Sequence, residues 1–449
     1  MTPEQRSTFD ELIPKLRSGR LTRRAFLERA LALGLSSVST LSLLESCGSS
    51  HDNAIYLVWQ ADYDPSNACQ QLVDGFNKRN QGRIHVTLQI GPNGTNDLVT
   101  IERNILKARS TAVDIFSVDI IYVAEFARQR WFQPISESRW PQRERAKYLG
   151  MPIEACTFDG QLWAIPFRSD VGLLYYRTDL IPHPPSTWEE LTSMAETALA
   201  QKNHPEYGYV WQGAQYEGLV CNFDEVLHGY GGSLFSDPFH PTVVTVDSPQ
   251  ARQALTTMVN WINKISPDDT DTYTEEVTRN TWEKGEALFM RNWPYAYSHS
   301  QQTTLAHKFG IHPMLSGGIN TIGHSSLGGW QLAINAFIDP VKQDAAWEFI
   351  QYMLQPEAQK IGATVASWVM TLMSIYEDQE ILSKFPFYKQ LKPILQAAVP
   401  RPVTPNYTDM STAIVFHVRQ ALARQASVSE TLKALAAKLE QLINSNQVS

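Results

Sequence analysis

Ile55-Tyr56-Leu57-Val58-Trp59, Arg83-Ile84-His85-Val86-Thr87-Leu88-Gln89-Ile90 and Val113-Asp114-Ile115-Phe116-Ser117-Val118 are three short runs rich in β-branched and aromatic residues. Each reads as a strand. Residues 67–80 and Asp97 to Arg109 lie between them with apolar residues at helical spacing. A strand–helix–strand–helix–strand order predicts a parallel sheet covered by helices on both faces. Ligands of such sheets sit outside the carboxyl ends of the strands. That rule puts Trp59 through Tyr63, Gly91 through Asp97, and Asp119 along one rim. Asp62 and Tyr63 fall at the rim itself, while Trp59 sits within an apolar strand and reads as core.

Further along, Gln161 to Pro166 leads into Phe167-Arg168-Ser169-Asp170 and then an apolar run, Val171–Tyr176. Residues 166–170 are read as a crossing into a second lobe. Ser186-Thr187-Trp188-Glu189-Glu190 opens a helix with a capping-box-like start. Residues 248–265, 275–289 and 341–354 carry helix patterns, 327–338 reads as a strand returning to the first lobe, and 411–446 as two long helices. No repeat or low-complexity tract interrupts this order.

The chain has 449 residues, enough for two or three domains; 43% are hydrophobic and 19% charged, which excludes wholesale disorder. Residues 1–46 read as an address rather than as fold. Thr22-Arg23-Arg24-Ala25-Phe26-Leu27 has the form of a twin-arginine export signal, and the uncharged stretch Ala30 to Leu44 is shorter than a membrane span requires. Leu44-Glu45-Ser46-Cys47-Gly48-Ser49-Ser50 resembles a lipobox, although Glu45 occupies a slot that is usually small or apolar. Lipidation of Cys47, cleavage nearby and an uncleaved anchor are the readings open there; residues 47–53 would be a tether. Setting aside the leader, with its seven Lys/Arg and five acids, leaves 31 basic and 41 acidic residues, net −10. That balance argues against nucleic acid as a partner and against adhesion to anionic lipid. Export implies an oxidising compartment. Of the remaining thiols, Cys156 and Cys221 flank the expected binding region and are the favoured disulfide, while Cys69 lies on a helix face with Leu72, Val73 and Phe76 and reads as a buried thiol.

Several segments in order resemble the periplasmic sugar-binding proteins of ABC importers, the cluster that contains maltose-binding protein, and within it the trehalose/maltose branch. They are Val113–Asp119, Ile165 to Leu180, Trp211-Gln212-Gly213-Ala214-Gln215-Tyr216-Glu217-Gly218-Leu219, Lys284 to Tyr297, Gly328-Gly329-Trp330, and Arg401 to Tyr407. The resemblance spans essentially all of 52–449. It implies an α/β fold: a two-lobed clamshell, each lobe a mostly parallel sheet flanked by helices, with the hinge crossed several times. The lobes would be 54–166 with 323–363, and 167–322 with 364–449. It further implies a sugar ligand, an ABC-transporter permease as partner, no cofactor, attachment to the membrane only through a lipid anchor, and a monomer.

The residues suit that chemistry on their own terms. A sugar offers vicinal hydroxyls at its edge and C–H groups on its face. Asp, Glu and Arg bind the edge through charge-assisted hydrogen bonds, and Trp and Tyr supply flat, rigid area for the face. Asp119, Asp170, Glu217 and Arg401 are the candidates for the hydroxyls, with Asp62, Tyr63, Asp97 and Tyr216 around them. Trp293, Tyr295 and Trp330 are the candidates for stacking, and Gly329 permits close backbone approach. Each has a plainer reading: turn capping for Asp119, a structural pair with Arg168 or Arg177 for Asp170, core packing for Trp293 and Tyr295, a solvated loop cation for Arg401. Trp131, Trp140, Trp163, Trp188, Trp261 and Trp347 are assigned to packing. The sequence holds no phosphate-cradling loop, metal-ligand spacing or nucleophile elbow, and His204, His228, His240 and His312 are scattered. Two other function classes stay open: a glycosidase using the carboxylates as an acid/base pair, and a sensory or adhesive surface lipoprotein.

Overall fold

The computed structural model describes residues 54–318 and 323–446. The twin-arginine segment, Cys47 and the 47–53 tether lie outside the described residues. Residues 54–56 with Asn80–His85 form a small unit, tied by the Ile55 N–H to the Arg83 carbonyl at 2.9 Å; the large unit holds the remaining described chain.

The strands in chain order are β1 (Ile55–Ala61), β2 (Ile84–Ile90), β3 (Ile115–Asp119), β4 (Thr157–Phe158), β5 (Gln161–Leu162), β6 (Ile165–Pro166), β7 (Arg168–Val171), β8 (Leu173–Arg177), β9 (Tyr207–Val210), β10 (Ala287–Asn292), β11 (Phe309–His312), β12 (Ser326–Gly328), β13 (Trp330–Ile334), β14 (Val369–Met370) and β15 (Val399–Pro400). One sheet has the order β2-β1-β3-β13-β6 and a second β11-β8-β10-β9. A third, β14-β7-β12-β15, contains short segments where the chain passes from one principal sheet to the other. This is the expected two-lobed α/β clamshell. The sheets are mixed rather than mostly parallel: β1 and β3 run parallel, as do β9 and β10, whereas β13 lies antiparallel to both β3 and β6, and β8 antiparallel to both β10 and β11. The parallel pairs have a helix between them in sequence, whereas β6, β8, β11 and β13 enter from crossings and loops that leave their direction free.

Two expected elements are broken by glycine. The run 171–176 divides at Gly172 into β7 and β8, and 327–338 divides at Gly329 into β12 and β13. Gly329 has φ +122°, and a Cβ there would lie 2.3 Å from the Arg168 carbonyl oxygen. Only glycine fits that backbone and that approach. The 275–289 pattern is likewise two elements. Its helix stops at Glu283, Gly285 turns the chain at φ 83°, and the apolar run Ala287–Met290 enters β10. A fully buried strand and a buried helix segment share the same apolar signature, which is why the run was read as helix. The helix Pro356–Ala366 runs through the expected 363/364 boundary; the chain leaves it at Ser367, in the left-handed conformation, and crosses in β14.

Packing follows the lobes. Trp59, Phe76 and Phe349 form an aromatic centre against the first sheet, with ring centroids 5.4 and 5.0 Å apart. A continuous apolar core joins Leu174–Leu315 to Met410–Leu439, so the two C-terminal helices, Tyr407–Leu422 and Val428–Asn446, close the second lobe. Among the described residues no helix is long and apolar enough to cross a membrane. Cys69, Cys156 and Cys221 are all free and buried. The Cys156–Cys221 disulfide does not form: Cys156 caps the short helix Gly150–Ala155, whereas Cys221 sits inside the helix Glu217–Gly229 on the wall of a cavity.

Candidate functional site

All twelve predicted ligand-contacting residues line one cavity of about 580 Å3: Asp62, Tyr63, Asp97, Asp119, Asp170, Tyr216, Glu217, Trp293, Tyr295, Gly329, Trp330 and Arg401. Strand ends and crossings deliver them. Asp62 and Tyr63 follow β1, Asp119 ends β3, Asp170 lies in β7, Trp293 and Tyr295 follow β10, Gly329 and Trp330 join β12 to β13, and Arg401 follows β15. Tyr63 (41% exposed) and Asp97 are at the open rim, while Asp62, Asp119, Glu217 and Arg401 are buried.

Arg401 occupies the floor. Its Nη1 donates to Glu217 Oε1 at 2.6 Å, its Nη2 to the Leu327 carbonyl at 3.2 Å, and Asp119 Oδ1 lies 3.9 Å from Nη2. It is therefore no solvated loop cation. Glu217 is largely partnered by protein: Tyr407 also donates to Oε1, and Ser411 donates to Oε2 at 2.6 Å. Its carboxylate holds Arg401 in place from the cavity wall.

The aspartates differ. Asp62 accepts from Arg168, which lies over the Trp368 ring with its guanidinium carbon 4.2 Å from the centroid. Asp170 makes neither structural pair proposed for it, since Arg168 serves Asp62 and Arg177 serves Asp179. No protein donor reaches the Asp170 carboxylate among the described residues. Asp119 does cap its turn, but only through a long 3.4 Å contact from the Ile121 N–H. Burial pushes Asp62 up to about 6, partly offset by Arg168. Burial likewise lifts Asp119 to about 6 against the pull of Arg401, and Asp170 to about 7 against the pull of Arg168. Desolvation of the charged form is the dominant cause in each.

The aromatic walls are held by their polar edges. Trp293 Nε1 donates to Glu275 Oε1 at 3.2 Å, Tyr216 hydroxyl to Glu275 Oε2 at 2.5 Å, and Tyr295 hydroxyl to Glu276 Oε1 at 2.7 Å. Burial would raise Glu276, but hydrogen bonds from Arg279 and Tyr295 win and hold it below its ordinary value. Glu275, Glu276 and Trp368 line the cavity although the sequence does not single them out, and Arg168, legible only as part of the crossing and a possible partner of Asp170, lines it too. Thr274-Glu275-Glu276 did carry a signal, a capped and acidic helix start three residues long, but nothing in sequence pointed it at the aromatics 18 and 19 positions away. Trp368 follows an unremarkable helix and reaches the cavity only because a crossing brings it there.

A two-lobed clamshell with polar and aromatic side chains converging from strand ends and crossings defines a ligand-capturing protein. Residues 63–360 match the model of the bacterial extracellular solute-binding protein family, and the chain belongs to that family. Its members are binding proteins rather than enzymes. A relative from Deinococcus radiodurans, described as a probable ABC transporter-binding protein, is 32% identical over 84% of this chain and 92% of its own length. Among solved structures, maltose-bound MalE3 of T. maritima superposes with TM-score 0.80 at 32% identity, over 86% of this chain and 100% of that one. The cyclic α-maltosyl-1,6-maltose binding protein of Arthrobacter globiformis shares the fold at 21% identity, with TM-score 0.71 over 87% of this chain and 100% of that one.

Proposed function

We propose that this protein captures a di- or oligosaccharide, or a glucoside of trehalose, maltose, sucrose or glucosylglycerol type, and delivers it to an ABC permease. The observation that carries the reading is the lining of the cavity: under-partnered carboxylates at Asp119 and Asp170 share it with Trp293, Tyr295 and Trp330, and neighbouring carboxylates hold the polar edges of the first two aromatics. Hydroxyls would donate to the aspartates and accept from the guanidiniums, and the ring faces would cover pyranose C–H groups. Both cavity guanidiniums already pair with carboxylates, and among the described residues no Lys lines the cavity, so the site suits a neutral sugar better than an anionic one. The resemblance to maltose-bound MalE3 agrees. In the same reading the chain works as an exported monomer, held to the membrane by a lipid on Cys47, with lobes divided at the 166/167 crossing.

A thermal-shift screen of the exported domain against maltose, trehalose, sucrose and glucosylglycerol tests it. A ligand at 100 times its Kd stabilises by about 2.7 kcal/mol. At least one of these solutes should raise the melting temperature; none doing so at millimolar concentration would overturn the assignment.

A further inference from the structure

We infer that the buried Arg291–Glu225 ion pair is a positioning element that fixes the plane of the Trp293 indole and ties it to the crossing strand β12. The inference deepens the proposed function, because it rests on Trp293 as a stacking wall.

Arg291 ends no surface network: it is fully buried in β10. Its Nε and Nη2 donate to Glu225 Oε2 and Oε1 at 2.8 and 2.6 Å, and its Nη1 to Gln212 Oε1 at 3.2 Å. Two residues on, Trp293 stands over this guanidinium, whose central carbon is 3.9 Å from the ring centroid. One face of the indole is thereby covered by a planar cation, and the ring lines the cavity beside Gly328. The ring edge is fixed separately, its Nε1–H donating to Glu275, and the Trp293 backbone N–H donates to Asn292 Oδ1 at 2.8 Å. Plane and edge together leave the indole no free rotation.

The pair reaches further. Glu225 Oε1 also accepts the N–H of Ser326, in β12, at 3.2 Å. Gly172 makes the room: a Cβ there would lie 1.9 Å from Glu225 Oε1 and 2.8 Å from Arg291 Nη2. The glycine that splits β7 from β8 is thus packed against this ion pair. Stability does not account for such an arrangement, because a buried pair is often no better than apolar residues of similar volume. A guanidinium rather than an ammonium is needed, since only the planar group stacks and binds a carboxylate through two nitrogens.

The test is the double variant Arg291→Met/Glu225→Leu, which leaves neither charge orphaned, alongside Arg291→Lys, which keeps charge without the plane. The exported domain is labelled with 5-fluorotryptophan, and the 19F resonance of Trp293 is assigned by its loss in Trp293→Phe. In sugar-free protein we expect that resonance to shift and broaden in both variants while those of distant tryptophans such as Trp140 stay put. The Kd for whichever screened sugar stabilises the wild type should rise at least tenfold. An unmoved, sharp Trp293 resonance, or a Kd within twofold of wild type, overturns the inference. If the double variant fails to fold, Arg291→Lys alone decides by the same two readouts. A wild type that binds no sugar sinks the sugar reading, and the 19F result still decides whether the pair positions the indole.

Discussion

Asp62, Asp119 and Asp170 are carboxyl groups that the folded chain keeps from ionising at their ordinary pH, and the consequence can be signed. Their folded values, about 6, 6 and 7, lie above the roughly 3.9 of an unfolded aspartate. Between about pH 4 and pH 7 the folded protein therefore holds protons that the unfolded chain has released. Their contribution to stability is complete below pH 4 and is lost as the pH rises through 6 and 7. A ligand hydroxyl hydrogen-bonds best to the ionised form, so it pulls these values down. Sugar binding at pH 6 should then release protons, and affinity should strengthen from pH 5 to pH 8. Calorimetry in buffers of different ionisation enthalpy reads the release directly; identical binding enthalpies in all buffers would exclude these aspartates from ligand contact. Glu217 makes a second prediction at this scale. It was picked out as a hydroxyl acceptor, and the structure makes it the anchor of Arg401. Glu217→Gln removes the counter-charge of a buried guanidinium, so we expect both a lower melting temperature and a Kd raised at least tenfold, about 1.4 kcal/mol. An unchanged Kd beside a lowered melting temperature would assign Glu217 to stability alone.

At the scale of elements, the short breaks decide where the site lies. Gly329 lets β12 leave the crossing sheet and β13 join the first sheet within one residue, which sets Trp330 at the cavity edge. Gly329→Ala would force a Cβ into the Arg168 backbone at a positive φ, and should destabilise by about 2 kcal/mol or more, read as a lowered urea midpoint at unchanged slope. A midpoint equal to wild type would remove the strain argument. The sequence was most legible where local chemistry is sufficient. Residues 55–119 alternate and repeat as their strands and helices do, and the capping-box-like start at Ser186–Glu190 is a real cap, with Thr187 accepting from the Glu190 N–H. It was least legible where tertiary contact chooses. Ala287–Met290 is apolar whether in helix or strand, and only its place between β8 and β9 makes it a strand. The same limit applies to the site. Rim residues follow from strand ends, but the partners that fix them are set by tertiary contact: Arg168 reaches Asp62 from 106 positions away through a crossing, and Glu275 reaches Trp293 from 18 positions away where a helix turns back at Gly285 into β10.

For the whole molecule, cavity residues come from both principal sheets and from the sheet of crossings, so a bound ligand touches parts that a hinge can move. A ligand shifts such an equilibrium only by its difference in affinity between the two states. Asp119 and Trp330 beside the first sheet and Trp293 and Tyr295 beside the second line the same cavity, so a ligand that touches both sets binds a closed form better than an open one. Closure of this kind is established for periplasmic binding proteins. The crossing sheet is the candidate hinge of the proposed capture: its strands are two to four residues long, and β7 and β12 are split from their neighbours at Gly172 and Gly329. Saturating sugar should therefore reduce the radius of gyration measured by small-angle X-ray scattering. Trp330→Ala should reduce that compaction at a sugar concentration that closes the wild type, since it leaves Asp119 alone to supply the first sheet's share of the differential contact. If a bound sugar leaves the wild-type scattering curve unchanged, capture proceeds in a preformed cavity and the crossing sheet is a rigid strut rather than a hinge.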